Sequence, residues 1–228
     1  MADPQRILEQ LLGGGRSSAS NDLLKGAALG GLAGLLLGSK KGRKLGKSAV
    51  KMGTIAAVGG FAWKAYRDWQ ASQQGQGRPV AAGGGSPAEL PERWERAAEG
   101  SAFLPTAPAA RDDLSLRLLR AMIAAAKADG HLDASEQQRI FAKIDDLQLG
   151  NDDKALLMDE LRAPLDIDAV VRGVDSLELA TEIYAVSRLA IDPDHAAEKA
   201  YLQLLASRLQ LPDDLVARLD AGVAHVSE

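Results

Sequence analysis

Six carboxylates stand in two turns of similar design. Asp129, Asp133 and Glu136 fall in A-K-A-D-G-H-L-D-A-S-E, and Asp192, Asp194 and Glu198 fall in A-I-D-P-D-H-A-A-E. Each set offers oxygens from a loop and from the first turn of the helix that follows, the donor type that hard divalent cations take. Three acids held close repel one another, so a bound cation would stabilise either cluster. Ca²⁺ or Mg²⁺ suits such a set. Zn²⁺ ranks behind them and needs His131 and His195, which lie in the corresponding turns. The spacing is not that of an EF-hand loop, with acids at alternate positions and a closing Glu at the twelfth. The same residues also suit helix starts. Asp133 with Glu136 three positions on is spaced as a capping box, and the helix dipole favours acids there. Capping accounts for Asp133 and Glu136 but gives no role to Asp129 or to the Asp192/Asp194 pair, so both readings stand.

Other chemistries find little support. Cysteine is absent and only three histidines occur among 228 residues, which removes thiolate nucleophiles, disulfides and a multi-histidine metal centre. No nucleophile–base pair is spaced for catalysis, and the glycines match neither a dinucleotide fingerprint nor a phosphate-binding loop. The expectation is a protein that is not an enzyme, has no catalytic residues and has no certain cofactor.

These turns need helices to hold them. The chain is 46% hydrophobic yet only 4% aromatic, and no apolar–polar alternation marks a strand, so the fold class is all-α. From Leu114 the apolar spacing is helical, through Leu118, Leu119, Met122, Ile123 and Ala126. After Asp133 a second helix carries Ile140, Phe141, Ile144 and Leu147. A third, starting after Asn151 and ending before Pro164, turns Leu156, Leu157 and Leu161 inward. Asp166 caps a short fourth with Ile167, Val170 and Val171. A fifth carries Leu179, Ile183, Val186 and Leu189. Its cap is either Asp175, with Glu178 completing a box, or Ser176. A sixth spans about 195–210 and a seventh 212–225. The segments ending at Leu149 and Leu211 echo each other at an offset of 62, Glu136 aligning with Glu198 and Ile140 with Leu202, which points to a pseudo-two-fold bundle.

The N-terminal part has another character. Residues 1–80 carry 12 Lys/Arg against 4 Asp/Glu, a balance of +8, whereas the remainder carries 15 against 27, a balance of −12. Residues 4–12 form a short amphipathic helix with Ile7, Leu8, Leu11 and Leu12 on one side, stopped by Gly13–Gly15. Gly26, Gly30, Gly34, Gly38, Gly42 and Gly46 then recur every four residues, a stripe on which another helix can pack closely. In water each interior glycine costs a helix about 1 kcal/mol, so a partner helix or a bilayer is expected to offset the cost. A basic block follows, Lys40, Lys41, Arg43, Lys44 and Lys47, better matched to anionic lipid than to nucleic acid in this glycine- and leucine-rich setting. Trp63, Tyr66 and Trp69, beside Lys64 and Arg67, are the amphipathic rings that a membrane interface collects. Neither apolar stretch reaches the roughly 20 residues of a secure span. A hairpin, one tilted span near 48–66 and a helix lying on the headgroups all remain open. No secretory leader is indicated. The expected partition is 1–70 as a glycine-rich membrane-associating region, 71–111 as a Gln/Gly/Pro-rich linker with a short helix near 88–99, and 112–226 as the helical domain.

The A-K-A-D-G-H-L-D-A-S-E stretch resembles the helical TerB-like domain of tellurite-resistance and related bacterial proteins. Residues 112–226, with M-D-E-L-R-A-P-L-D-I-D and A-I-D-P-D-H-A-A-E, more closely resemble the YebE-like inner-membrane proteins of unknown function, which share a glycine-rich apolar N-terminal region. The resemblance implies a bundle of about seven helices, no established catalytic activity, an acidic cluster associated with metal binding, and a role at the bacterial inner membrane in stress or metal-related complexes. Tellurite resistance itself does not carry over. The leading expectation is therefore a membrane-attached interaction or metal-responsive module, bound to lipid and to a protein partner or to itself, without nucleic acid. The competing one is a soluble scaffold that self-associates through its glycine stripe. Positive residues favour the cytoplasmic side, which places a C-terminal domain reached by a hairpin or span outside, whereas the TerB resemblance favours the cytoplasm.

Overall fold

The computed structural model describes residues 2–13, 55–73, 90–128, 149–191, 193 and 195–227. Among these residues the structure is all-α, with no strand and one isolated bridge between Glu99 and Leu104. Nine helices are described: α1 Pro4–Gly13, α2 Ile55–Gln73, α3 Leu90–Ala98, α4 Pro108–Ala126, α5 Asn151–Arg162, α6 Ile167–Val171, α7 Leu177–Ala190, α8 Ala196–Arg208 and α9 Asp213–Ser227. The last six follow the apolar spacing read from the sequence. The helix expected over 133–147, and with it most of the first half of the internal echo, lies outside the described residues.

The core is built around α7. Ala180 to Ser187, more than two turns, are all buried, so this helix has no solvent face along that stretch. It packs on α4, α2, α8 and α9. Opposite it, α4 buries Leu114, Leu118, Leu119, Met122 and Ile123, the stripe its periodicity requires. Ser176 caps α7, its hydroxyl accepting from the Leu179 N–H at 3.2 Å, and Asp166 caps α6 by accepting from the Ala169 N–H at 3.1 Å. Glu178 is thereby left out of a capping box and accepts from the Tyr66 hydroxyl of α2 at 2.8 Å.

The boundary expected near residues 70–112 does not divide the core of the described residues. Helices α1 and α2 bury Ile7, Leu8, Leu11, Val58, Phe61 and Ala62 in the same cluster as α4 and α7. Ten residues of amphipathic helix are marginal alone in water, so α1 is held by its apolar face and not by propensity. A polar tie reinforces the contact: the backbone N–H of Asp3 donates to the buried Asp153 carboxylate of α5 at 2.5 Å, and Gly150 N–H donates to its other oxygen at 3.3 Å.

Glycines absent from the expected stripe make the close contacts. A Cβ on Gly59 would stand 2.7 Å from the Phe103 carbonyl oxygen, one on Gly60 2.8 Å from the Glu95 nitrogen, and one on Gly222 2.6 Å from the Phe61 ring. These positions let α3, the 99–104 turn and α9 press onto α2. At the end of α8, Gln210 has φ 54°, and the N–H groups of Gln210 and Leu211 donate to Ser207 and Ala206, the left-handed stop usually assigned to glycine.

Two outcomes follow for stability. Gly222→Ala lowers stability by about 1–3 kcal/mol through overpacking. In a Phe61→Leu background the same change becomes neutral or stabilising, because helix propensity then acts unopposed. A urea double-mutant cycle reads the difference. Gln210→Gly raises stability by about 1 kcal/mol, visible as an increase in Tm, because it relieves the left-handed strain of a side-chain-bearing residue.

Candidate functional site

The six acids have unequal standing. Asp129, Asp133, Glu136, Asp192 and Asp194 lie outside the described residues. Glu198 is described, at the third position of α8, where a carboxylate oxygen accepts from the His195 N–H at 3.2 Å, the capping role weighed for such residues. Among the described residues no group of three His, Asp or Glu stands close enough to hold a metal ion. Gly26, Gly30, Gly34, Gly38, Gly42 and Gly46 also lie outside the described residues.

Trp63, Tyr66 and Trp69 are described, and they contact protein, not a free interfacial surface. Tyr66 is buried, its ring 5.6 Å from Phe103 and 5.8 Å from Trp69. Trp63 and Trp69 are half-buried against the core. The Arg67 guanidinium lies 5.3 Å from the Trp63 ring centre, and the Lys64 ammonium of α2 lies 5.5 Å from that of Trp94. The correction has a local cause. The Gly59–Gly60 pair lets α3 and the 99–104 turn fold over α2, and these bring the apolar and π surfaces that the rings then cover. Phe103, within the segment expected as a linker, is buried.

A groove of about 410 Å³ opens where α1, the start of α2, the end of α3 and the start of α4 meet. Glu9, Glu95, Glu99, Arg96 and Arg111 supply its charge, and Leu104, Pro105 and Leu114 its apolar wall. Arg111 donates from Nε to the Pro105 carbonyl at 2.6 Å, which fixes one wall. Glu9 of α1 and Ala56 of α2 border the same groove.

The feature that no periodicity argument anticipates is Glu182. It lies in the middle of α7, 0% exposed, and both carboxyl oxygens are buried without a hydrogen-bond partner. Burial pushes its pKa well above the usual carboxylate range, so the closed bundle holds it as a neutral acid. Its neighbours on α7 are satisfied: Thr181 donates to Leu177 O at 2.6 Å, and Tyr184 donates to Asp220 of α9 at 3.1 Å. Glu182 lies one turn beyond Glu178, on the stripe that the Tyr66–Glu178 bond turns towards α2. A polar residue inside L-E-L-A-T-E-I-Y-A-V is the only sequence signal, and it reads as an outward position unless the helix is known to be covered on every side.

A carboxyl with a raised folded pKa contributes stability that is complete below its unfolded value near 4.5 and is lost as pH rises towards the folded value. Compared with Glu182→Gln, the wild-type protein therefore loses about 1.4 kcal/mol of unfolding free energy per pH unit across that window. Urea titrations of both proteins at a series of pH values give the difference, and two parallel curves would refute the assignment.

A family model described as "Protein of unknown function (DUF533)" matches residues 22–223. The chain is 31% identical, over 99 residues, to an "Uncharacterized protein in ampR 5'region" of Yersinia enterocolitica; the match covers 43% of this chain and 71% of that protein. No solved structure matches.

Proposed function

The chain belongs to the DUF533 family of proteins of unknown function, and from that premise we propose that it is a non-enzymatic interaction module held at the inner membrane of a bacterium. Its helical body is read as TerB-like, with residues 14–54 as the lipid-binding part. The observation that carries the reading is the anchoring of that part at both ends. α1 precedes it and α2 follows it, both are seated in one core, and both border one groove. Anchoring at both ends supports an approach to lipid with a return to the same body.

Its sequence suits that task. Residues 23–38 are apolar apart from Lys25, with about fourteen residues between charges where a span needs about 20, and the basic block at 40–47 follows directly. Because residues 55–66 belong to α2 and its core contacts, they are not free to form a second leg. This leaves shallow insertion by 23–38 with the lysines on anionic headgroups. Among the described residues no helix is long and apolar enough to cross a membrane. On this reading the body and the basic block share one side, which the positive-inside preference makes the cytoplasmic one. Partner binding belongs to the acidic body. Response to a divalent cation through Asp129, Asp133 and Glu136 is part of the same proposal.

Fractionation of cells producing the full chain tests the reading. The wild-type protein is expected with the membranes, a form with residues 23–38 replaced by Gly/Ser in the supernatant, and a C-terminal reporter active in the cytoplasm. A full chain found wholly in the supernatant overturns the membrane part. If it also elutes as an oligomer, the self-associating scaffold takes its place.

A further inference from the structure

We propose that Glu182 is a proton-operated latch on α2: with its carboxyl protonated α2 stays seated on α7, and with the carboxyl ionised α2 is released. The argument starts from burial. Both oxygens are enclosed and unpartnered, and a carboxylate cannot remain ionised in that position without water or a counter-charge.

Among the described residues, the groups that face α7 from its neighbours supply neither. From α2 it is Tyr66, already donating to Glu178. From α9 it is Asp220, which accepts from Tyr184 and pairs with Arg188 at 3.3 Å. From α8 it is Tyr201, whose hydroxyl is itself buried and unpartnered. The buried residues of α4 are uncharged throughout. On α2, Lys64 is engaged with Asp68. Ionisation is therefore relieved by opening a seam to solvent and not by rearranging a pair.

The seam with α2 is the one built to open. Glu182 shares the α7 stripe whose preceding turn contacts α2. The buried face of α2 combines the small residues Gly59, Gly60, Ala62 and Ala65 with Val58, Phe61 and Tyr66, and Trp63 and Trp69 pack half-buried against the core, so its release brings aromatic rings into contact with solvent. Residues 14–54 precede α2 and 74–89 follow it outside the described residues, so α2 is joined to its described neighbours in the chain by long connections at both ends. All three tryptophans of the chain are on α2 or against it, Trp63 and Trp69 within it and Trp94 beside Gly60.

Native-state hydrogen exchange of the full chain between pH 5 and 9, corrected for intrinsic exchange, tests the latch. For a single linked proton the opening constant rises about tenfold per pH unit until the closed-state pKa is passed. In the wild-type protein that rise is expected in the amides of α2 and the facing part of α7, and not in α5, together with greater acrylamide quenching of tryptophan. Glu182→Gln abolishes the slope. Glu182→Met, which carries no polar group, does the same and covers the case in which the glutamine variant folds poorly. An infrared band of a protonated carboxyl, present in the wild type at neutral pH and missing in both variants, identifies the titrating group. The latch is overturned by a pH-independent wild type, by an equal slope in either folded variant, or by a rise shared by every helix, which reports global unfolding. Failure of membrane binding leaves each of these readouts unaffected, so the two proposals fall separately.

Discussion

A helix buried on every side constrains all that surrounds it. With Ala180 to Ser187 removed from water, each face of α7 needs a partner, and the neighbours divide the work according to what that face presents. Alanines and Ser187 accept close approach, and the Ser187 hydroxyl meets the Ala121 carbonyl of α4 at 3.5 Å. Tyr184 and Arg188 reach polar groups on α9. The stripe bearing Glu178 and Glu182 is covered by α2. The polar groups on such a helix must be satisfied internally or be kept neutral. Thr181, Tyr184 and Ser187 take the first course and Glu182 the second.

Covering α7 explains why the N-terminal helices belong to the body. Without α1 and α2, Phe103 and part of the buried surface of α4 and α7 would lose their cover. The family match over residues 22–223 runs across the same join, as expected of a unit whose N- and C-terminal parts share one core. The two glycines of α2 and the glycine of α9 set how closely these layers approach, because at each of them a methyl group would meet backbone or an aromatic ring.

This arrangement also alters the mechanical picture of the molecule. A tail followed by a flexible tether would let the body range widely from a surface. The chain between Gly13 and Ile55 instead joins two helices, α1 and α2, that share one core and border one groove. The aromatic cluster of α2 then serves cohesion, with Tyr66 in tilted contact with Phe103 and Lys64 set over Trp94.

The order of helices, their apolar stripes and the cap of α6 were determined by local chemistry and could be read from spacing. Leu114, Leu118 and Met122 lie inward because 3.6 residues make a turn, and Asp166 caps because its side chain reaches a free N–H three residues on. The choice between Asp175 and Ser176 needed the fold, since Glu178 had to be drawn away by Tyr66 before the box was lost. The same holds for Trp63, Tyr66 and Trp69: rings beside lysine and arginine suit lipid and protein equally, and only the approach of α3 and the 99–104 turn decides between them. Glu182 is the extreme case. A glutamate carries no mark in the sequence of whether it faces water, because burial belongs to the assembly of four helices around α7 and to no residue in that helix alone.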